Sequence, residues 1–221
     1  MPEKVRIPLA VGEITVQFAT PRIDLIGSAM SATVERIADA WIPFGFRLRD
    51  LEILSTGAPV DHGVSFKLPS EGIQFQFGAE KYVYRKEQAS LMGAEKDLAP
   101  LLAAEGVLLA GKLENVSSCV ARVAMHLQVE TCTTHELLAP LYPAPLRNIL
   151  GERPPMSFGN HLVWDGGDLL VDFSVPFANA IFVRISTHFD GKPEVAEMLS
   201  QVRRKHAAIL EALGVEEVGN D

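Results

Sequence analysis

The sequence predicts an α+β fold in which helices pack on one face of antiparallel sheet. Short segments alternate apolar and polar side chains, as residues 72–77 do, which is the period of strands with one solvated face. Turn residues rich in glycine separate these segments closely enough for hairpins. Longer segments with helical apolar spacing lie between the groups of strands and near the end of the chain. The 221 residues, 48% of them hydrophobic, can bury a core without disulfide support.

The first elements are predicted to be a hairpin and a helix. Apolar residues alternate on both sides of Gly12-Glu13, so residues 4–19 are predicted to form two strands joined at that pair. The helix is predicted to begin after Ser28, a residue type that caps helix N-termini, and to end at Pro43.

A meander and a second helix complete the first half of the chain. Turns such as residues 57–59 bound the β-prone segments, and Pro100 suits the first turn of a helix that Asp97 would cap. The predicted strands cover residues 48–55, 63–68, 72–77 and 82–85, and the predicted helix covers residues 94–110.

The second half repeats this order of elements. Residues 119–130 alternate apolar and polar side chains throughout and are predicted to form one long strand. Thr133 and Glu136 have the spacing of a capping box, which opens a short helix. An amphipathic helix is predicted to start at Pro193, and residues after Val215 are expected to fray. The three strands before that helix are predicted over residues 157–164, 168–175 and 180–188.

The repeated order suggests an internal duplication of a β-α-β-β-β unit. A strand, a helix and three strands occur at 13–77 and again at 119–188, without sequence identity between the copies. No flexible linker separates the halves. We therefore predict a single two-lobed domain over residues 1–221, with pseudo-repeats at 4–90 and 112–213 and a long C-terminal helix.

Charge and cysteine content argue against several classes of protein. The net charge of −8 is unlike that of a general nucleic-acid binder, which needs a basic surface. No apolar segment approaches the ~20 residues that span a bilayer, and the N-terminus lacks a secretion signal. Two cysteines do not make a disulfide framework. We expect a cytoplasmic protein with no nucleic-acid or membrane partner.

No motif in the sequence predicts a cofactor. The chain lacks a phosphate-binding glycine loop, a nucleophile elbow and a metalloprotease helix. Cys132 and His135 have metal-ligand spacing, and His126 lies on the preceding strand, but no fourth ligand is near. We therefore predict no cofactor and no metal site, and these three residues are the nearest candidates for one.

Polar residues on the last sheet are the candidates for chemistry. Alternation places Arg184 and His188 on one face of strand 180–188, and Asp172 on the polar face of its hairpin partner. His188 and Asp172 are candidate acid–base residues, and Arg184 is a candidate ligand-binding residue. Arg122 and His126, on the polar face of strand 119–130, are candidate ligand-binding residues as well. The alternative is a solvated sheet face with cross-strand ion pairs.

The order of elements resembles that of a sporadically distributed family of uncharacterised bacterial proteins. The residues that carry the resemblance are the strand from Ala121 to Leu127, with its basic Arg122, and the helix from Glu197 to Leu213. The aromatic residue and the asparagine that follow the basic residue in that family are absent from this strand. The resemblance implies no particular activity, so no functional residue is carried across.

Two functions remain open from the sequence. The absence of a catalytic motif favours a non-catalytic interaction protein, chaperone-like or regulatory, that forms a homodimer or binds a protein partner through a sheet edge or face. The apolar face formed by Ile73, Phe75 and Phe77 is one candidate interface. The alternative is a small-molecule-binding protein or an enzyme of the hydrolase or isomerase type, with a polar cleft between its two lobes.

Overall fold

The structure is a computed structural model, and its helices and large, mainly antiparallel sheet confirm the predicted α+β class. In the part of the chain that it describes, no helix is long and apolar enough to cross a lipid bilayer. The predicted turn at 57–59 and the predicted cap Asp97 lie outside that part. The described residues are 2–25, 28, 30–54, 63–87, 98–110, 113–141 and 159–217.

The strands are β1 (Glu3–Phe18), β2 (Leu51–Leu54), β3 (Gly63–Leu68), β4 (Ile73–Gly78), β5 (Lys81–Glu87), β6 (Val116–Val129), β7 (Gly159–Trp164), β8 (Gly167–Phe173), β9 (Ala180–Asp190) and β10 (Val215–Glu217). The helices are α1 (Met30–Trp41), α2 (Ala99–Leu108), α3 (Thr134–Leu138) and α4 (Val195–Ala212).

The chain divides into two compact units, each with buried apolar residues of its own. The first unit comprises residues 11–121 and 188–198. The second unit comprises residues 1–10, 122–187 and 199–221.

In the first unit, β2, β3, β4 and β5 form an antiparallel meander, and β5 pairs with the second half of β1. Strand alternation places Phe66 and Phe75 on the inner face. The Trp41 ring of α1 packs there, with centroid distances of 5.8 Å to Phe66 and 5.9 Å to Phe75. Trp41 Nε1 also donates a hydrogen bond of 2.9 Å to the Pro100 carbonyl of α2. This aromatic core joins both helices to the meander, as the apolar spacing predicts.

A buried ionic contact ties α2 to two other segments of the first unit. The Tyr82 hydroxyl of β5 donates a 2.6 Å hydrogen bond to Glu105 Oε1, and Lys192 Nζ lies 2.9 Å from Glu105 Oε2. The Glu105 and Lys192 side chains are only 8% and 12% exposed. Burial, together with the charge and hydrogen bond of Glu105, holds the pKa of Tyr82 far above its ordinary value, so the phenol keeps its proton. Glu105 needs these partners because an unpaired buried charge is strongly destabilising.

In the second unit, β6, β9, β8 and β7 follow one another in the sheet, and β10 pairs in parallel with the start of β1. The β6 residues predicted to face inward, such as Met125 and Leu127, are buried. His206 of α4 is also buried, with its Nε2 3.3 Å from Met125 Sδ. Burial lowers the pKa of His206, so the ring is neutral at pH 7.

The predicted hairpin over residues 4–19 is wrong, because β1 runs without a turn from Glu3 to Phe18. The apolar pattern does change phase near Gly12: Val5 is buried at an odd position, whereas Ile14 and Val16 are buried at even positions. The start of the strand faces the core of the second unit, and its end faces the core of the first. Where the buried face changes, the alternation of apolar residues along the strand is interrupted. A turn between two strands would interrupt it in the same way.

Three further expectations are corrected. Residues after Val215 do not fray at once, because Val215–Glu217 is the strand β10. Leu48–Asp50, predicted as the start of a strand, is a turn of 3-10 helix. Ile73, Phe75 and Phe77 are 4%, 0% and 2% exposed, so this apolar face is core and not an interface.

Lys192→Met should destabilise the first unit by about 3–5 kcal/mol, because it leaves the Glu105 carboxylate buried without its cation. Methionine keeps the length of the apolar stem, so the loss is mainly electrostatic. Urea unfolding at pH 7, followed by far-UV circular dichroism, measures the change.

The matched control is Lys67→Met, which removes a 2.6 Å ion pair with Glu52 whose side chains are 43% and 52% exposed. An exposed pair contributes about 1 kcal/mol or less. Equal losses in the two variants would contradict the buried role of Lys192.

Candidate functional site in the second unit

The polar face of the second unit is built by strand register. Asp168 on β8 lies opposite Ser186 on β9, and Leu170 lies between Arg184 on β9 and His161 on β7. Cross-strand partners share a face, and so do residues two apart along a strand. These strands therefore present their polar side chains together. We call this set the polar face: Arg122, His161, Asp168, Arg184 and Ser186.

Asp168 is the centre of the polar face. Its Oδ1 lies 3.3 Å from Arg184 Nη2 and 3.5 Å from His161 Nε2, and its side chain is 14% exposed. Burial alone would raise the pKa of Asp168. The hydrogen bond from Ser186, the charge and hydrogen bond of Arg184 and the hydrogen bond from His161 outweigh burial and hold this pKa below its ordinary value. Asp168 is therefore ionised at neutral pH.

Arg122 joins this network from β6, because its Nε donates to Ser186 Oγ at 3.4 Å. The sequence predicts a polar face for β6 and another for β9, but not that the two strands are neighbours. In the structure these polar residues lie on one surface. Within the described residues, Arg184 Nε is buried and has no hydrogen-bond partner, so Asp168 is the anchor of that guanidinium.

Hydrogen bonds and burial determine what the polar face can do chemically. Ser186 is 0% exposed, so a substrate cannot reach its hydroxyl. Asp168 is held in its charged form with a lowered pKa, which makes it a poor general base near pH 7. The arrangement is suited to fixing four strands relative to one another.

The candidate acid–base pair is not brought together by register. Asp172 lies opposite Phe182 on β9, and its Oδ1 accepts a 2.7 Å hydrogen bond from the backbone N–H of Phe173. His188 is exposed and lies six residues beyond Phe182 (182 to 188) on β9. That separation is about 20 Å along a strand.

The three candidate metal ligands have other neighbours. His126 Nδ1 lies 2.9 Å from Ser174 Oγ, and its ring packs on two phenylalanines; burial lowers its pKa. His135 packs against the Phe173 ring at 5.0 Å, in the first turn of α3, where the predicted capping box is present. Burial, with the charges of Glu3 and Glu136, raises the pKa of the Cys132 thiol. In the described ranges, no three His, Cys, Asp or Glu side chains are grouped as a metal site requires.

The end strand β7 borders the polar face and was not singled out by sequence reasoning. Among the described strands, β7 pairs with β8 alone. Leu162 is 51% exposed, Val163 is 71% exposed, and Trp164 is 38% exposed. No Asp, Glu, Lys, Arg or Pro occurs from Gly159 to Trp164. Among the described strands, β7 is therefore an uncharged end strand whose last three side chains are apolar and exposed.

Asp168→Asn should lower the free energy of unfolding by about 1–3 kcal/mol at pH 7, because it weakens hydrogen bonds to a charged acceptor. The folded-state pKa of Asp168 lies below its ordinary value of 3.8, so its stabilisation is present above that pH and is lost as the pH falls through the folded-state pKa. Urea titrations across this pH range should show the two proteins converging in acid.

Asp165→Asn is the control for that series, because Asp165 is exposed in the β7–β8 turn, where asparagine is equally suitable. A constant difference between wild type and Asp168→Asn at all pH values would contradict the ionic role of Asp168.

Comparison with known proteins adds no family to this geometry. The sequence matches no protein-family model and no curated protein.

Proposed function

We propose that this protein is a non-catalytic interaction protein, chaperone-like or regulatory, that binds its partner by adding a strand to the edge of β7. The observation that carries the proposal is the uncharged strand from Gly159 to Trp164, in which Leu162, Val163 and Trp164 are exposed apolar residues. An edge strand presents a row of unpaired N–H and C=O groups, which another strand can satisfy.

The other edge strands of the described sheet have features that prevent pairing with another chain. β10 is only three residues long and carries Glu216 and Glu217. β2 has four residues, and its Glu52 forms an ion pair with Lys67. Short length and charge are the common means by which proteins keep strand edges from pairing. β7 has neither, which supports a role for this edge in binding.

A second copy of the chain is the partner that we propose. If two β7 strands pair antiparallel about Leu162, His161 lies opposite the second copy's Val163, and Asn160 lies opposite its Trp164. No charge meets a like charge in this register, although each chain carries a net charge of −8. Six residues per copy form a small interface, so the dimer should be weak, with a Kd in roughly the micromolar range.

Strand order supports the proposed internal duplication. In the first unit, the last strand of the meander, β5, pairs with β1, which precedes the meander. In the second unit, the last strand of the β7–β8–β9 meander pairs with β6, which also precedes it. A helix separates the first strand from the meander in each case, and another helix follows. β7, as the first strand of its meander in the described chain, then corresponds to β3.

Catalysis receives less support than binding. On the polar face, Asp168 is paired with Arg184, and His188 and Asp172 are separated by register. Both cysteines are free, as in proteins of a reducing compartment, which supports the proposed cytoplasmic location.

Val163→Lys should raise the dimer dissociation constant at least tenfold, because pairing would bury a lysine at the strand edge. Val163 is 71% exposed and lies opposite Asp168, so the variant should retain the stability of the monomer. Sedimentation velocity from about 1 to 100 μM, a range that brackets a micromolar Kd, measures the association.

Val175→Lys is the matched control, since Val175 is 98% exposed and lies outside the strands. It should associate as wild type does. A wild-type protein that stays monomeric over the whole range, or a Val163→Lys variant that dimerises normally, would overturn the proposed partner.

A further inference from the structure

A cavity of about 320 Å³ lies in the first unit, apart from the features that support the proposed function. Its size is within the range of small-molecule sites, about 300–1,000 Å³. The walls expose polar and apolar surface in about equal parts, with one cationic and one anionic residue. The lining residues are Pro43, Phe44, Leu68, Glu71, Ile73, Lys86 and Pro100.

Lys86 is the unusual member of this lining. It follows the inward-facing Tyr82 and Tyr84 at the same alternation on β5, lies opposite Ile73 on β4, and is only 9% exposed. Lysines are rarely buried at such positions unless a partner compensates the charge. Lys86 has another interaction within the protein, but its ammonium carries three N–H donors and can serve a ligand as well.

Glu71, the anionic residue of the lining, is exposed, whereas Lys86 is buried. It is exposed in the short 3-10 turn between β3 and β4, so its carboxylate stays hydrated while Lys86 is enclosed. An anion that enters the cavity therefore meets a desolvated cation at the wall and a solvated carboxylate that solvent screens. The enclosed cation dominates recognition.

We propose that this cavity binds a small monocarboxylate with an aromatic or branched apolar body. The carboxylate accepts hydrogen bonds from Lys86 Nζ, and the apolar body packs against Phe44, Leu68 and Ile73. A charge-assisted hydrogen bond fixes the orientation of the ligand, and burial of the apolar body adds to the affinity.

The test uses 3-phenylpropionate as the probe and isothermal titration calorimetry on the full chain. Lys86→Met should weaken binding at least tenfold, and 3-phenylpropan-1-ol, which lacks the carboxylate, should bind wild type at least tenfold more weakly than the acid does. Lys81→Met is the matched control on the same strand, because Lys81 is exposed, and it should bind as wild type does. Phenylalanine, which adds an ammonium to the same body, tests whether Glu71 selects an amino acid.

Equal affinity for the acid and the alcohol would overturn the proposal even if Lys86→Met failed to fold. So would the absence of saturable binding at about 10 mM probe, where a Kd of 1 mM would still be evident. Val163→Lys should bind the probe normally, since this cavity is independent of β7. Probe binding should therefore be the same whether or not β7 pairs with a second copy. Likewise, a failure of the probe to bind would not affect the proposed pairing of β7.

Discussion

The outer N–H and C=O groups of an end strand have no neighbouring strand to pair with. Among the described strands, β7 has this position in the second unit. The β7 edge is also held firmly in place. The β7–β8 turn uses Gly166 at φ +85°, a conformation that favours glycine. A Cβ at Gly167 would lie 2.4 Å from the Ser186 carbonyl oxygen and 2.9 Å from the Trp164 ring. Trp164 thus packs on a backbone that no larger residue could provide, which fixes the end of β7 against β8.

The polar face contributes to the same rigidity from the neighbouring strands. Asp168 holds Arg184 and His161 within 3.5 Å, and Ser186 links the network to Arg122 on β6. Because a shift in register by one residue would move every one of these side chains to the other face, the network fixes the pairing of the four strands. Its charges stabilise the pairing of these strands. This structural role is consistent with the binding role that we propose for β7.

The local sequence pattern predicted the buried faces and caps of single elements. It did not predict the features that depend on which strands are neighbours. Alternation located the buried face of β6, and the spacing of Thr133 and Glu136 identified their capping box. Alternation could not reveal that Asp172 lies opposite Phe182, or that β7 ends the sheet, because pairing joins residues distant in the chain. One missed signal was local: Lys86 continues the inward alternation of Tyr82 and Tyr84, and a lysine at such a position indicates a buried cation.

We propose that β7 gains backbone hydrogen bonds from a second copy of the chain. Hydrogen exchange of the amides in residues 159–164, measured by mass spectrometry at protein concentrations well below and well above the dimer dissociation constant, tests it most directly. The account predicts that exchange in β7 slows as the concentration rises, while exchange in β2 does not change. Exchange in β7 that is independent of concentration would contradict the account.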